Sequence, residues 1–170
     1  EKPFSSTLDL ADVVAKAVGQ SHKDRIHPAT RTFQALRIFV NRELHQLCEA
    51  LFAAERALKP GGRLVVVTFH SLEDRIVKRF FADRVGGSQG SRYLPDFKDI
   101  PARFDVPMRK AMAASKAETE VNARSRSAKL RFGVRTKVTV GEQDMGIFGL
   151  PNLPAPDDLK LGDGSSREAR

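Results

Sequence analysis

The densest group of residues able to meet a nucleic acid is the run His27-Pro28-Ala29-Thr30-Arg31-Thr32-Phe33-Gln34-Ala35-Leu36-Arg37-Ile38-Phe39-Val40-Asn41. With Thr30 as the cap of a new helix, its first turn offers free backbone N–H groups, the hydroxyls of Thr30 and Thr32, and the Arg31 guanidinium. That set suits a phosphate. Further along, Gln34, Arg37, Ile38 and Asn41 share a face distinct from the apolar stripe, so amide and guanidinium groups can reach a base edge or a sugar. The same spacing is met by a solvated face opposite an apolar stripe.

A second group, Thr68-Phe69-His70-Ser71-Leu72-Glu73-Asp74-Arg75, lies where an apolar strand ends and a helix begins. In open α/β sheets, ligands bind at the carboxyl ends of strands. The His70 imidazole can donate to or accept from a substrate, with a capping or packing role as the alternative. Ser71 and Asp74 have the spacing of a helix N-cap and its third residue. Glu73 and Arg75 point elsewhere, with a surface ion pair as the plain alternative for them. A third group, Asn122 to Arg131, places Arg124, Arg126, Ser127, Lys129 and Arg131 at the entry and body of a strand. Phosphate-backbone contact and a charge-protected edge strand explain it equally.

Other chemistry is missing. No glycine-rich loop follows a strand with an acid about twenty residues on, so no nucleotide or adenosyl cofactor loop is legible. Gly61-Gly62 precedes its strand and reads as a turn. The four histidines, at 22, 27, 45 and 70, lack ligand spacing, which argues against a metal. Cys48, the sole cysteine, falls mid-helix beside Leu47 and Leu51, where apolar surroundings raise its pKa. Without a thiolate, Cys48 offers no covalent nucleophile.

These groups need elements to hold them. Ser6 with Asp9 reads as a capping box, and Leu10, Val13, Val14, Ala17 and Val18 line one face of the helix that Gly19 ends. After the polar stretch Gln20 to Arg25, Phe33, Leu36, Val40, Leu44, Leu47, Leu51, Ala54 and Leu58 step by three and four, which predicts one helix of about eight turns. Pro60-Gly61-Gly62 stops it. Arg63 to Phe69 is β-branched and does not alternate, which predicts a central strand buried on both faces of a parallel sheet. Leu72, Ile76, Val77, Phe80 and Phe81 give the following helix its apolar side. Gly86 to about Lys116 reads as a surface excursion carrying Tyr93, Phe97 and Phe104, with a short strand near Phe104. From Ser127 to Thr136, Ala128, Leu130, Phe132 and Val134 alternate with Lys129, Arg131 and Arg135, which predicts an edge strand with one wet face. Beyond Thr136 a poorly ordered tail is expected, in which Ile147-Phe148-Gly149-Leu150 docks locally.

The 170 residues fit one domain with a core, and 41% apolar with 29% charged residues is ordinary for a globular chain. No apolar run approaches the roughly 20 residues of a membrane span, which with the single cysteine points to the cytoplasm. A net charge of +8 favours a polyanionic partner. Glu1 in place of Met, with a helix starting within a few residues, suggests a piece of a longer chain.

In order and spacing, His27 to Asn41, Leu58-Lys59-Pro60-Gly61-Gly62-Arg63-Leu64, Phe69 to Lys78 and Arg124 to Arg131 resemble the small-subunit rRNA methyltransferase H, or MraW, family. The resemblance covers about residues 1 to 136. It implies an α/β fold, the C-terminal part of a class I (Rossmann-like) S-adenosylmethionine methyltransferase core with the end of a helical substrate-recognition insert. Residues 1–42 would be the insert's end and return helix, 43–136 the core part, and 137–170 a flexible tail. The implied reaction is methylation of a cytosine N4 in the decoding region of 16S rRNA on the small ribosomal subunit. S-adenosylmethionine would be bound outside this chain, leaving the chain alone inactive. Ala123 stands where the family usually has proline, so the approach to the last strand can differ. The candidate substrate- and RNA-binding residues are Thr30, Arg31, Thr32, Gln34, Arg37, Asn41, His70, Ser71, Arg75, Arg124, Arg126 and Ser127; no catalytic base can be named. The alternative is a non-enzymatic RNA-binding or ribosome-associated module.

Overall fold

The computed structural model describes residues 4–19, 26–88, 99–154 and 156–159. Helix α1 spans Thr7–Val18, and its capping box is the one expected: the Ser6 hydroxyl accepts from the Asp9 amide at 3.2 Å and the Asp9 carboxylate accepts from the Ser6 amide at 3.1 Å. The Ser5 hydroxyl also donates to Asp9, and this bond is the main cause holding that carboxyl below its ordinary range. Gly19, at φ 78°, ends the helix. The stretch Gln20 to Arg25 lies outside the described residues.

Helix α2 is Thr30–Asn41, and its cap is Ala29, with no side-chain cap bond, in place of the expected Thr30. His27 does the local work: its carbonyl accepts from the Thr30 amide at 3.0 Å and its Nδ1 from the Ala29 amide at 3.2 Å. The single eight-turn helix is in fact two. Arg42 adopts a left-handed conformation, φ 54° and ψ 30°, and α3 restarts at Glu43 and runs Glu43–Ala57. Neither composition nor periodicity marks this break, because arginine is a good helix former and the apolar steps continue across it. The chain divides here into two compact units: residues up to Glu43 with those from Asn152, and Leu44–Pro151.

In the second unit, Gly61, at φ 84°, turns the chain into strand β1, Arg63–Thr68. Helix α4 follows, Ser71–Arg84, then the short pair β2, Gly87–Ser88, and β3, Asp99–Ile100. Next come β4, Phe104–Asp105, β5, Met112–Ala113, helix α5, Lys116–Val121, a 3-10 turn at Ala123–Ser127 and β6, Lys129–Arg135. The pairings of β6 with β1, β4 and β5 are all antiparallel, with β1 on one edge of β6 and β4 and β5 on the other.

Two strand assignments therefore exchange places. Among the described residues β1 is an edge strand in an antiparallel sheet, and the basic strand β6 is central. Leu64 and Val66 face the core, while Val65 and Val67 are 54% and 49% exposed on the opposite face. On β6 the face carrying Arg131, Gly133 and Arg135 is the one packed beneath α4, so the expected wet face is the covered one. Gly133 explains the close approach. A Cβ there would lie 2.7 Å from the Phe81 ring and 3.2 Å from that of Phe104.

The core combines α3, α4 and this sheet face. Phe80, Phe81 and Phe104 meet edge to face with centroids 5.4 to 5.8 Å apart, and Phe52 packs on Phe148 at 5.3 Å. Such contacts add ~0.5–1.5 kcal/mol each to their burial. Phe104 is fully buried, so the expected surface excursion passes through the core at that point, where the short strand was anticipated; Tyr93 and Phe97 fall outside the described residues. Ile147-Phe148-Gly149-Leu150 docks as anticipated: Phe148 is 1% exposed and its carbonyl accepts from the Arg79 guanidinium.

Beneath α4 sits a buried ionic network. Glu55 and Arg84 are 0% and 1% exposed and meet at 3.1 Å, while the Arg84 guanidinium lies 4.4 Å from the Phe80 ring centroid. Asp83 accepts from both Arg84 and Arg103 at 2.8 Å. Burial pulls the Arg84 pKa down and the neighbouring Glu55 opposes it.

Candidate nucleic-acid interface

In the first unit, an open cleft of about 560 Å³ is lined by Ala11, His27, Ala29, Thr30, Phe33, Gln34 and Arg37. The helical steps Thr30, Gln34 and Arg37 bring three of the anticipated residues to one surface. Arg31 is exposed and Thr32 half-buried, but neither lines this cleft. Asn41 and Arg37 are gathered by a residue that spacing did not single out: Glu43 accepts from Asn41 Nδ2 at 3.1 Å and pairs with Arg37 Nε at 2.9 Å. The helix break at Arg42 turns Glu43 back toward the preceding turn, so no linear pattern could have revealed this clamp.

At the end of β1, the cap of α4 is displaced by one residue from the Ser71 and Asp74 pair expected. His70 is the N-cap, its Nδ1 accepting from the Glu73 amide at 3.4 Å, and the Glu73 carboxylate accepts from the Phe69 and His70 amides at 2.9 and 3.2 Å. His70 thus fills the capping role; its buried Nε2 lies 3.3 Å from Glu73 Oε1 without a hydrogen bond among the described residues. Ser71 and Arg75 are exposed on the first turn. Asp74, freed from capping, faces the sheet and receives Arg131 Nε at 2.8 Å and Lys129 Nζ at 3.3 Å. The Arg131 hydrogen bond is the largest cause holding the Asp74 carboxyl below its ordinary range.

Lys129 and Arg131 are thereby partly neutralised, while Arg124 and Arg126 remain exposed on the 3-10 turn. That turn is set by Asn122, whose Oδ1 accepts from the Arg124 amide at 3.2 Å and whose carbonyl accepts from the Ser125 hydroxyl at 2.8 Å. Ser127 closes the turn, exposed. The predicted basic residues therefore fall into two sets, one in each unit.

At the carboxyl end of β1, Thr68 is buried and its hydroxyl donates to the Lys129 carbonyl at 3.3 Å, and the adjacent carboxylates of Glu73 and Asp74 are engaged by the helix cap and the sheet. Among the described residues no free carboxylate is left at this strand end to receive a ribose. Cys48 is fully buried and its thiol is pushed up to about 12 by burial, which leaves it inert. Among the described residues no three His, Cys, Asp or Glu side chains group as a metal site, and no helix is long and apolar enough to cross a membrane.

Helices on one face of an antiparallel sheet, flanked by exposed cationic turns, are consistent with an α/β methyltransferase fold. The profile of the MraW methylase family matches residues 1–136, and the chain belongs to that family. It is 58% identical over 158 residues to "Ribosomal RNA small subunit methyltransferase H" of Brucella ovis, and equally to proteins of that name from Brucella canis and Brucella suis. These matches cover 93% of the chain and 46% of each relative, so the chain spans about half the length of the curated relatives it matches.

Proposed function

We propose that this chain is the substrate-facing part of an S-adenosylmethionine-dependent rRNA methyltransferase acting on the N4 amine of a cytosine in the decoding region of 16S rRNA. The observation that carries the reading is the family match over residues 1–136 together with 58% identity to relatives named for that ribosomal RNA activity. Residues 1–42 act as the end of a substrate-recognition insert, with Thr30, Gln34 and Arg37 presenting hydroxyl, amide and guanidinium groups to the RNA and Arg31, Thr32 and Asn41 extending that surface. Residues 43–136 form part of the catalytic core, in which His70, Ser71 and Arg75 lie at a strand end and Arg124, Arg126 and Ser127 contact the phosphate backbone.

The cofactor supplies the methyl group, and the segment that holds it is not among these residues. The part played by this chain is to bind and orient. Extruding the cytosine and holding N4 in line with the donor needs shape and fixed charge, without a covalent intermediate. Such a substrate implies a cytoplasmic setting on the small ribosomal subunit.

The test is methyl transfer from labelled adenosylmethionine to unmethylated small subunits, by this chain and by a version extended with the preceding half of its relatives. Labelled N4-methylcytosine from the extended protein alone is the expected result. No transfer by either, with RNA binding retained, would replace the enzyme by a non-catalytic RNA-binding module.

A further inference from the structure

In the second unit, a cleft of about 310 Å³ opens between α4, the loop after β4 and strand β6. Its floor is apolar: Phe81 and Val85 from the helix, Val106 and Met108 from the loop. Its rim is cationic, with Lys78 on α4 and Arg109 on the loop, both exposed and neither with a side-chain hydrogen bond or ion pair among the described residues. Among the described residues no carboxylate lines it. Arg131, the third lining cation, is occupied by Asp74, and its Nη1 donates to the Arg109 carbonyl at 2.8 Å, which fixes the loop against the sheet. Gly86, at φ 67°, seals one end: a Cβ there would lie 2.4 Å from the Ile100 carbonyl oxygen.

An apolar floor beside two cations without a side-chain partner among the described residues matches a ligand with one apolar part and one anionic part. The volume stands near the lower end of the ~300–1,000 Å³ typical of small-molecule sites. A single nucleotide meets both conditions, and the +8 charge of the chain favours one carried on a polyanion. We infer that this cleft takes one unstacked nucleotide of the RNA substrate, its base against Met108 and Val106 and its phosphate between Lys78 and Arg109. The inference rests on the RNA-directed reading above and adds to it a contact point on α4 and the loop after β4. Arg75, one turn before Lys78 on the helix, continues the cationic track.

The test is equilibrium binding of a fluorescent single-stranded oligoribonucleotide to the 170-residue chain at several salt concentrations. The double variant Lys78→Glu, Arg109→Glu is expected to bind at least ~10-fold more weakly, with the salt slope reduced by about 1.4, since two cation–phosphate contacts to a single strand are lost. Met108→Ser is expected to weaken binding by roughly fivefold at unchanged slope, at the low end of what loss of a base-stacking surface costs. Lys78, Arg109 and Met108 are all solvent-accessible, so each variant should melt with the parent chain. Affinity of the double variant within twofold of the parent, while Arg124→Glu, Arg126→Glu lowers it, overturns the cleft and leaves the RNA reading standing. An effect of the charges with none from Met108, and competition by pyrophosphate as strong as by a mononucleotide, overturns the nucleotide in favour of a bare anion site. Absence of RNA binding by the parent chain also overturns the inference, and methyl transfer by the extended protein then judges the RNA reading separately.

Discussion

The two faces of the β1–β6 sheet are built by opposite rules. Under α4, the covered face carries Lys129, Arg131 and Arg135 beside Leu64, Val66 and Gly133. The other face, with Val65 and Val67 next to Leu130 and Phe132, is the more apolar and the more open. Charge is tolerated beneath the helix because it finds partners there. Asp74 takes Arg131 and Lys129, and Arg135 donates to the carbonyls of Glu55 at 3.3 Å and Arg103 at 2.9 Å. An unpaired buried charge would cost several kcal/mol, so each guanidinium on this face fixes where its acceptor must be. The open face has no such register, only apolar area that water still reaches.

The largest effect should come from breaking the covered face at its most buried pair. Glu55→Ala removes the fully buried partner of Arg84, leaving its guanidinium only the partly exposed Asp83, and is expected to cost ~3–5 kcal/mol, read as a lower urea midpoint at unchanged slope. A loss below ~1 kcal/mol would mean that the network is wet. Next comes packing: Gly133→Ala drives a methyl into the Phe81 ring and is expected to cost ~1–3 kcal/mol, whereas Val134→Ala on the open face should cost less, and the reverse order would exchange the two faces.

The Asp74 cluster sharpens the comparison through pH. Its carboxyl is depressed in the folded state, so its contribution is present above the unfolded value of about 4 and is lost as pH falls through the lower folded value. Stability should therefore fall below about pH 4 in the parent chain. Asp74→Asn should be less stable at neutral pH by ~1.5–3 kcal/mol, the worth of hydrogen bonds to a charged group, and should lose less on acidification. Parallel acid limbs for the two proteins would contradict the assignment. The smallest effect on stability belongs to the open face. Val65→Thr with Val67→Thr should stay within ~0.5 kcal/mol of the parent while reducing concentration-dependent association in sedimentation, because the altered side chains are half exposed next to a strand edge without a partner among the described residues. Sedimentation unchanged from the parent would remove that face as a source of association.

Much of this architecture was legible residue by residue. The Ser6 and Asp9 box, the stop at Gly19, the turn at Pro60-Gly61-Gly62, the strand at Arg63, the burial of Cys48 and the docking of Phe148 all followed from caps, turns and apolar runs, which act over a few residues. Of the candidate site residues, Thr30, Gln34 and Arg37 line one cleft, as helical spacing implies. Glu43, the partner of Arg37 and Asn41, was hidden by a helix break that no propensity marks, and the cap at His70 was hidden by a Ser71 and Asp74 pair one residue out of phase.

Local sequence, then, determined most of the helices and strands and several of their ends, the break at Arg42 excepted, because caps, glycine conformations and apolar periods are satisfied within a turn or two of chain. Tertiary structure alone decided which strand is central and which face is covered. Alternation on β6 reports two faces without saying which one a helix will cover, and the answer rested on Gly133 admitting the Phe81 ring and on Asp74, 57 residues from Arg131, supplying its counter-charge.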